Sequence, residues 1–176
     1  MGGAPSKTEA TSDVCNGRLR DMAETVTGNR DAFAAAAQLL HDFNEEYDEP
    51  SPPPDEVASR LAELVEGDHV AVLLARERET GEPVGVAVMR VQPSVWSQAT
   101  EVYLAELYVK PGLRGQGYGR ELITEVLQVA RERSADYAFL VTSEDDRLAQ
   151  RLYEAAGFRK TEGEDGPLML AYEREL

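Results

Sequence analysis

Gly115, Gly117 and Gly119 stand at alternate positions in VKPGLRGQGYGREL, residues 109 to 122, between an apolar run that reads as a strand and a segment that reads as a helix. Bare backbone at such a turn lets successive N–H groups converge on an anion, and the helix dipole adds a favourable field. Two phosphate loops compete for the pattern and both fit badly. A P-loop needs four residues between its glycines and then lysine with serine or threonine, and the stretch has neither the gap nor the lysine. The dinucleotide fingerprint is G-x-G-x-x-G after a first strand, whereas this spacing is G-x-G-x-G and lies deep in the chain. The plain alternative is a sharp turn that needs positive φ.

Glu106 is the second residue with chemical potential. It lies in EVYLAELYV, a strand whose other positions are nearly all apolar. A carboxylate is not buried there without a partner or a water-filled cleft, so it either pairs with an arginine on a covering helix or faces such a cleft. Tyr153, in RLYEAAGFRK, reads by spacing alone as an amphipathic tyrosine on a helix flank.

The elements that must position these groups follow from periodicity. Residues 1 to 17 are small, polar and aperiodic and read as a flexible tail, with 18 to 176 as a single domain. A short strand is expected in RLRDMAETV. NRDAFAAAAQLLHDF then puts Phe33, Ala37, Leu40 and Phe43 on one helical face, with Asn29 as cap. The acidic, proline-rich NEEYDEPSPPPDE interrupts until Asp55 caps EVASRLAELVEG, whose stripe is Val57, Leu61 and Leu64 and whose stop is Gly67. HVAVLLAR and VGVAVMRVQP, joined by ETGEP, predict a hairpin. In EVYLAELYV, Val102, Leu104 and Tyr108 fall on one side and Tyr103, Leu107 and Val109 on the other, as in a central strand covered above and below. RELITEVLQVARERS forms a helix facing inward through Leu122, Ile123, Val126, Val129 and Ala130. YAFLVTS is read as another buried strand, RLAQRLYEAAG as a helix closed by Gly157, and PLMLAYERE as a final strand. The order predicts an α/β fold, a mixed sheet with helices on both faces.

Composition narrows the partners. At 176 residues and 42% hydrophobic the chain suits one domain with a real core. It has no apolar run of membrane-spanning length and its start has no apolar leader, so a cytoplasmic protein without membrane contact is expected. Lone Cys15 forms no internal disulfide, and with His41 and His69 it gives no metal cluster. A formal net charge of −15 repels phosphate backbones and anionic lipid, which argues against nucleic acid as a partner.

Arg114-x-x-Gly117-x-Gly119 after LYVKP resembles the coenzyme A motif, Q/R-x-x-G-x-G/A, of the GNAT family of N-acetyltransferases. RLYEAAGFRK resembles that family's second signature, a helix ending in L-Y-x-x-x-G-F. The likeness runs over residues 18 to 174. It implies a mostly antiparallel sheet with one splayed parallel strand pair, and acetyl-CoA as co-substrate with no metal. Main-chain groups of Leu107, Tyr108 and Val109 would take the pantetheine arm, and Arg114, Gly115, Gln116, Gly117, Tyr118, Gly119 and Arg120 the pyrophosphate. Val109 N–H would be the oxyanion donor and Tyr153 the general acid. Asp146 stands where relatives commonly carry an asparagine that touches pantetheine; it accepts but does not donate.

Glu106 is then the acceptor's anchor or base, with Glu101 a weaker alternative. Tyr103 occupies a position where some protein-acetylating relatives carry a glutamate, which argues against histone-like substrates. Asp42, Glu45, Glu46, Asp48 and Glu49 border the expected acceptor pocket, so Glu45 and Glu46 are read as substrate-binding and the acceptor as a small cationic amine, polyamine- or aminoglycoside-like. The alternatives are a protein or peptide N-acetyltransferase and a non-catalytic acyl-CoA-binding module. A homodimer accords with the resemblance.

Overall fold

Val70 to Ala75 are all buried although successive side chains of a strand point to opposite faces, so this segment is covered on both sides. Ala71, Leu73 and Ala75 belong to one apolar cluster, and Val70, Val72 and Leu74 to another. A computed structural model describes residues 23–176 and shows what supplies each cover. The elements run β1 (Ala23–Thr25), α1 (Arg30–Glu46), α2 (Pro54–Glu66), β2 (Val70–Arg76), β3 (Pro83–Pro93), β4 (Thr100–Val109), α3 (Tyr118–Glu132), β5 (Ala135–Leu140) and α4 (Arg147–Ala155). The strands form one sheet in the order β1-β2-β3-β4-β5, antiparallel except for the parallel pair β4 and β5.

The first cluster is closed by α3 through Leu122, Ile123, Val126, Val129 and Ala130, all buried as the helical stripe requires. The second is closed by α1 and α2 through Phe33, Ala36, Leu39 and Leu61. Asn29 caps α1 as expected, its side chain accepting from Asp31 N–H at 3.0 Å. Helix α2 begins earlier than expected: Pro54 takes its first position, where the missing N–H costs nothing, and Asp55 lies inside the first turn instead of capping it. The tail read over residues 1 to 17 lies outside the described residues.

Three expectations are corrected. The faces of β4 do not alternate strictly, because Glu106 pairs with Val88 while Leu104 pairs with Met89, which leaves Ala105 as a bulge. Beyond it the sides exchange: Leu107 and Val109 join Val102 and Leu104 on the α3 side, whereas Tyr108 packs in the α1 and α2 cluster. Secondly, β5 is the sheet's edge and not a buried strand; Tyr137 is 53% exposed. Thirdly, PLMLAYERE forms no strand. A single bridge joins Thr161 to Leu168, and Leu168, Met169, Leu170 and Tyr172 are exposed.

Candidate active site

The parallel pair holds together only from Thr100 with Ala135 to Leu104 with Leu140. Beyond it β4 continues to Val109 while β5 has ended, so the strands part into a wedge. Which main-chain groups face that wedge follows from the other edge. Lys110 N–H donates to Val84 O at 3.0 Å, and in an antiparallel ladder alternate residues turn their main chain toward the partner. Residues 108 and 110 therefore face β3, and Leu107 and Val109 turn theirs to the open edge. Val109 O accepts from Arg114 Nε at 2.8 Å, which fits that direction.

The glycine turn lies at the end of the same strand. After one 3-10 turn at Pro111–Leu113, Gly115 (φ 79°) and Gly117 (φ 102°) adopt the left-handed conformation that side chains resist, and α3 starts at Tyr118. Gly117 caps α3 without a side-chain hydrogen bond, and the N–H groups of residues 115 to 120 meet no acceptor among the described residues. A helix start with its donors free is an anion site in waiting. Gly119 is needed for a different reason: a Cβ there would stand 3.1 Å from Leu152 Cδ2 of α4.

Wedge and turn open into one cavity of about 1420 Å³ between α3, α4 and the end of β4. Glu106 to Val109, Arg114 to Gly117, Gly119, Arg120, Asp146 and Tyr153 all line it, whereas Tyr118 turns into the core. The sequence pattern marks Phe43 only as part of a helical face and gives Tyr47, Arg131 and Arg151 no role; Phe43 and Tyr47 stand edge to face at 5.3 Å on the acceptor side, and Arg131 and Arg151 lie at the far end. Arg131 had a readable signal. Arg120, Thr124, Leu127 and Arg131 recur at helical spacing on one face of α3, and the face runs along the cavity.

Electrostatics separate two kinds of titratable group. Burial pushes Tyr153 up to about 12, with the nearby charge of Asp146 adding to the shift, so its hydroxyl holds its proton through the neutral range. Burial also raises Glu106 above the ordinary glutamate value, opposed by the positive charge of Arg90. Asp146 caps α4, its carboxylate accepting from Ala149 N–H at 2.9 Å. Glu46 is held by Arg114 through both Nη atoms at 2.7 Å, and exposed Glu45 lies 3.4 Å from His41. Neither glutamate lines the cavity, although Phe43 and Tyr47 place the acidic end of α1 beside its mouth.

No group of three or more His, Cys, Asp or Glu among the described residues is placed to hold a metal. No helix among them is long and apolar enough to cross a membrane.

A splayed parallel pair, an uncapped glycine turn and a mixed sheet define the acetyltransferase class of fold, and comparison with known proteins agrees. The model of the Acetyltransferase (GNAT) family matches residues 36–158, and the chain belongs to that family. A protein from Arthrobacter sp. FB24, assigned as an acetyltransferase, has a crystal structure that superposes with a TM-score of 0.77 at 38% identity, over 96% of this chain and 100% of that one. An aminoglycoside acetyltransferase from an uncultured soil metagenomic sample shares the fold, with a TM-score of 0.67 at 19% identity over 87% of this chain and 95% of that one. Among curated proteins, the thialysine N-epsilon-acetyltransferase of Bos taurus is 35% identical over 44% of this chain and 48% of its own length. The D-amino-acid N-acetyltransferase of Saccharomyces cerevisiae is 33% identical over 49% of this chain and 53% of its own. The chain thus spans about half the length of the curated relatives it matches.

Proposed function

We propose that the protein transfers the acetyl group of acetyl-CoA to the primary amine of a small cationic molecule. The observation that carries this reading is the meeting, in one cavity, of an open strand edge, a set of unpaired N–H groups at a helix start, a half-buried carboxylate and a proton-holding tyrosine. The residues present suit the co-substrate. The edge of Leu107 and Val109 offers strand-like hydrogen bonds to the amides of the pantetheine arm, and the N–H groups of residues 115 to 120 offer donors to the pyrophosphate. Arg120, Arg131 and Arg151 add positive charge along the same cavity. When bound, acetyl-CoA supplies an activated acyl carbon.

Glu106 binds the incoming ammonium and accepts one of its protons, directly or through water, leaving a neutral nitrogen. That nitrogen attacks the thioester carbonyl carbon; the C–N bond forms and the C–S bond breaks. Val109 N–H donates to the carbonyl oxygen as its charge develops. The departing sulfur takes the proton of Tyr153, and the phenolate so formed takes the second proton that the nitrogen sheds as the amide forms, which restores the tyrosine. Tyrosine with a pKa pushed up to about 12 is a weak acid that is correctly protonated at neutral pH; thiolate is the weaker base of the two, so the transfer is carried forward by the return of the acidic second amine proton to the phenolate.

The acidic stretch at and after the end of α1 supports a cationic acceptor, since Asp42, Glu45, Asp48 and Glu49 flank in sequence the cavity-lining Phe43 and Tyr47, in a chain of net charge −15. The curated relatives named for thialysine and for D-amino acids act on amines, in keeping with this class. The reading is tested by incubating purified protein with acetyl-CoA and a panel of diamines and amino sugars, following free thiol. Thiol release that depends on the amine upholds it; tight binding of acetyl-CoA without release for any amine favours a binding module instead.

A further inference from the structure

The bulge at Ala105 has a second effect: it puts Glu106 on the same sheet face as Tyr103, two positions before the bulge. In this part of the sheet that face lies beyond α1 and α2. It carries Arg90 opposite Tyr103 and Phe139 opposite Tyr103 on the other side. The rings of Tyr103 and Phe139 stack at 5.0 Å, and the guanidinium of Arg90 stands 5.8 Å from the Tyr103 centroid. Arg60, Arg76, Arg78, Arg114 and Arg133 each hold a carboxylate. Exposed Arg90 forms no salt bridge among the described residues, as Arg120, Arg131 and Arg151 along the cavity also form none; what sets it apart is its place on the face of Glu106 and Tyr103.

We infer that Arg90 is a specificity residue for the acceptor: it takes a carboxylate of an amine whose nitrogen is bound at Glu106, with the ring of Tyr103 as the floor between them. Charge complementarity and spacing carry this. A guanidinium fork matches a carboxylate, and its stacking on Tyr103 leaves the fork's edge free to donate. Glu106 pairs with Val88, so Arg90 is its diagonal neighbour, and such neighbours stand roughly 7–8 Å apart. That span suits an amine separated from its carboxylate by a short carbon chain. The acceptor is therefore a zwitterion with a side-chain amine, a narrower class than the cationic amines above; the inference rests on the acetyl-transfer reading.

Matched pairs separate the two. Acetylation is followed for lysine with cadaverine and for ornithine with putrescine, each pair differing by one carboxylate. Wild-type kcat/KM favours the carboxylated member by about tenfold or more, mainly through KM, as one charge-assisted contact provides. Arg90→Gln brings the ratio toward one and Arg90→Lys restores part of it; the unfolding midpoints check that both variants are folded. A wild-type ratio at or below one, or a ratio that Arg90→Gln leaves in place, overturns the role of Arg90 while transfer to the diamines still upholds amine acetylation. Transfer to none of the four, with transfer to some other primary amine, overturns the carboxylate contact alone. Transfer to no amine overturns both.

Discussion

Both terminal nitrogens of Arg114 hold the carboxylate of Glu46 at 2.7 Å, while its Nε donates to Val109 O at 2.8 Å. One side chain thereby ties the last turn of α1 to the end of β4 and to the start of the glycine turn. The pair is partly open to solvent, with side-chain exposures of 32% and 27%, so its removal costs about 1 kcal/mol or less. Its larger effect is positional. Glu46→Gln is expected to shift the unfolding midpoint little and to weaken acetyl-CoA binding several-fold, because Arg114 and the turn that follows lose their tether. Calorimetry with acetyl-CoA, alongside thermal unfolding, reads both.

Gly117 and Gly119 fail for separate reasons when replaced. A side chain at Gly117 is strained by φ 102°, at a cost of roughly 1–3 kcal/mol. Gly119→Leu drives a branched chain against Leu152, whose Cδ2 already lies 3.1 Å from the Cβ position. Each variant is expected to lose acetyl-CoA affinity at least tenfold in the same titration, and Gly119→Leu also to push α4 outward, seen as faster amide exchange in residues 147 to 155. Unchanged affinity in both would remove the turn from the site.

The pH profile reports on Glu106. Burial raises its pKa, so the fraction available as base falls as pH drops through that raised value, and the acid limb of kcat/KM lies above the ordinary glutamate range. Glu106→Gln is expected to lower kcat/KM by roughly 10²–10⁴-fold and to abolish that limb. Stability moves the other way. Above the raised pKa the folded state carries a poorly hydrated charge that glutamine lacks, so the variant unfolds no more readily than wild type at pH 8. A large loss of stability there would mark Glu106 as structural.

Tyr153→Phe removes the proposed proton donor and keeps the ring that stands edge to face with Phe158 at 6.2 Å. The expected result is a fall in kcat of roughly 10²-fold or more with acetyl-CoA affinity nearly unchanged. Because burial and Asp146 push the hydroxyl up to about 12, Tyr153 contributes no alkaline limb below about pH 10.

Added salt separates steering from contact. With a cationic acceptor, kcat/KM is expected to fall several-fold as ionic strength rises from low to physiological, while kcat holds, since the exposed acidic end of α1 acts before binding. A flat dependence would show that the acidic rim plays no part.

What the sequence disclosed and what it concealed have physical causes. The stripe of α3 was legible because all five of its named apolar positions meet the same cover, and the glycine turn because left-handed φ at positions 115 and 117 demands glycine. The bulge was not legible: Ala105 has no glycine or proline to mark it, and a strict alternation through it assigns Tyr108 to the wrong face. Strand β5 carries the aromatic and apolar residues of a buried strand, yet Tyr137 and Phe139 stack on one another and Tyr137 stays exposed among the described residues. The apolar run at PLMLAY has strand composition yet no strand beside it to pair with in the structure. Asp146 both lines the cavity and caps α4, and its place directly before that helix already fits the cap in the sequence.

The most direct test of acetyl transfer in this cavity is a single-turnover reaction of wild type and Tyr153→Phe with acetyl-labelled acetyl-CoA and a primary amine acceptor, the product read by mass spectrometry. The expected result is labelled amide from wild type, formed at least a hundredfold more slowly by the variant at equal acetyl-CoA occupancy, on the order of the general-acid contribution. Equal rates in the two proteins, or bound acetyl-CoA with no labelled amide from wild type, would contradict it.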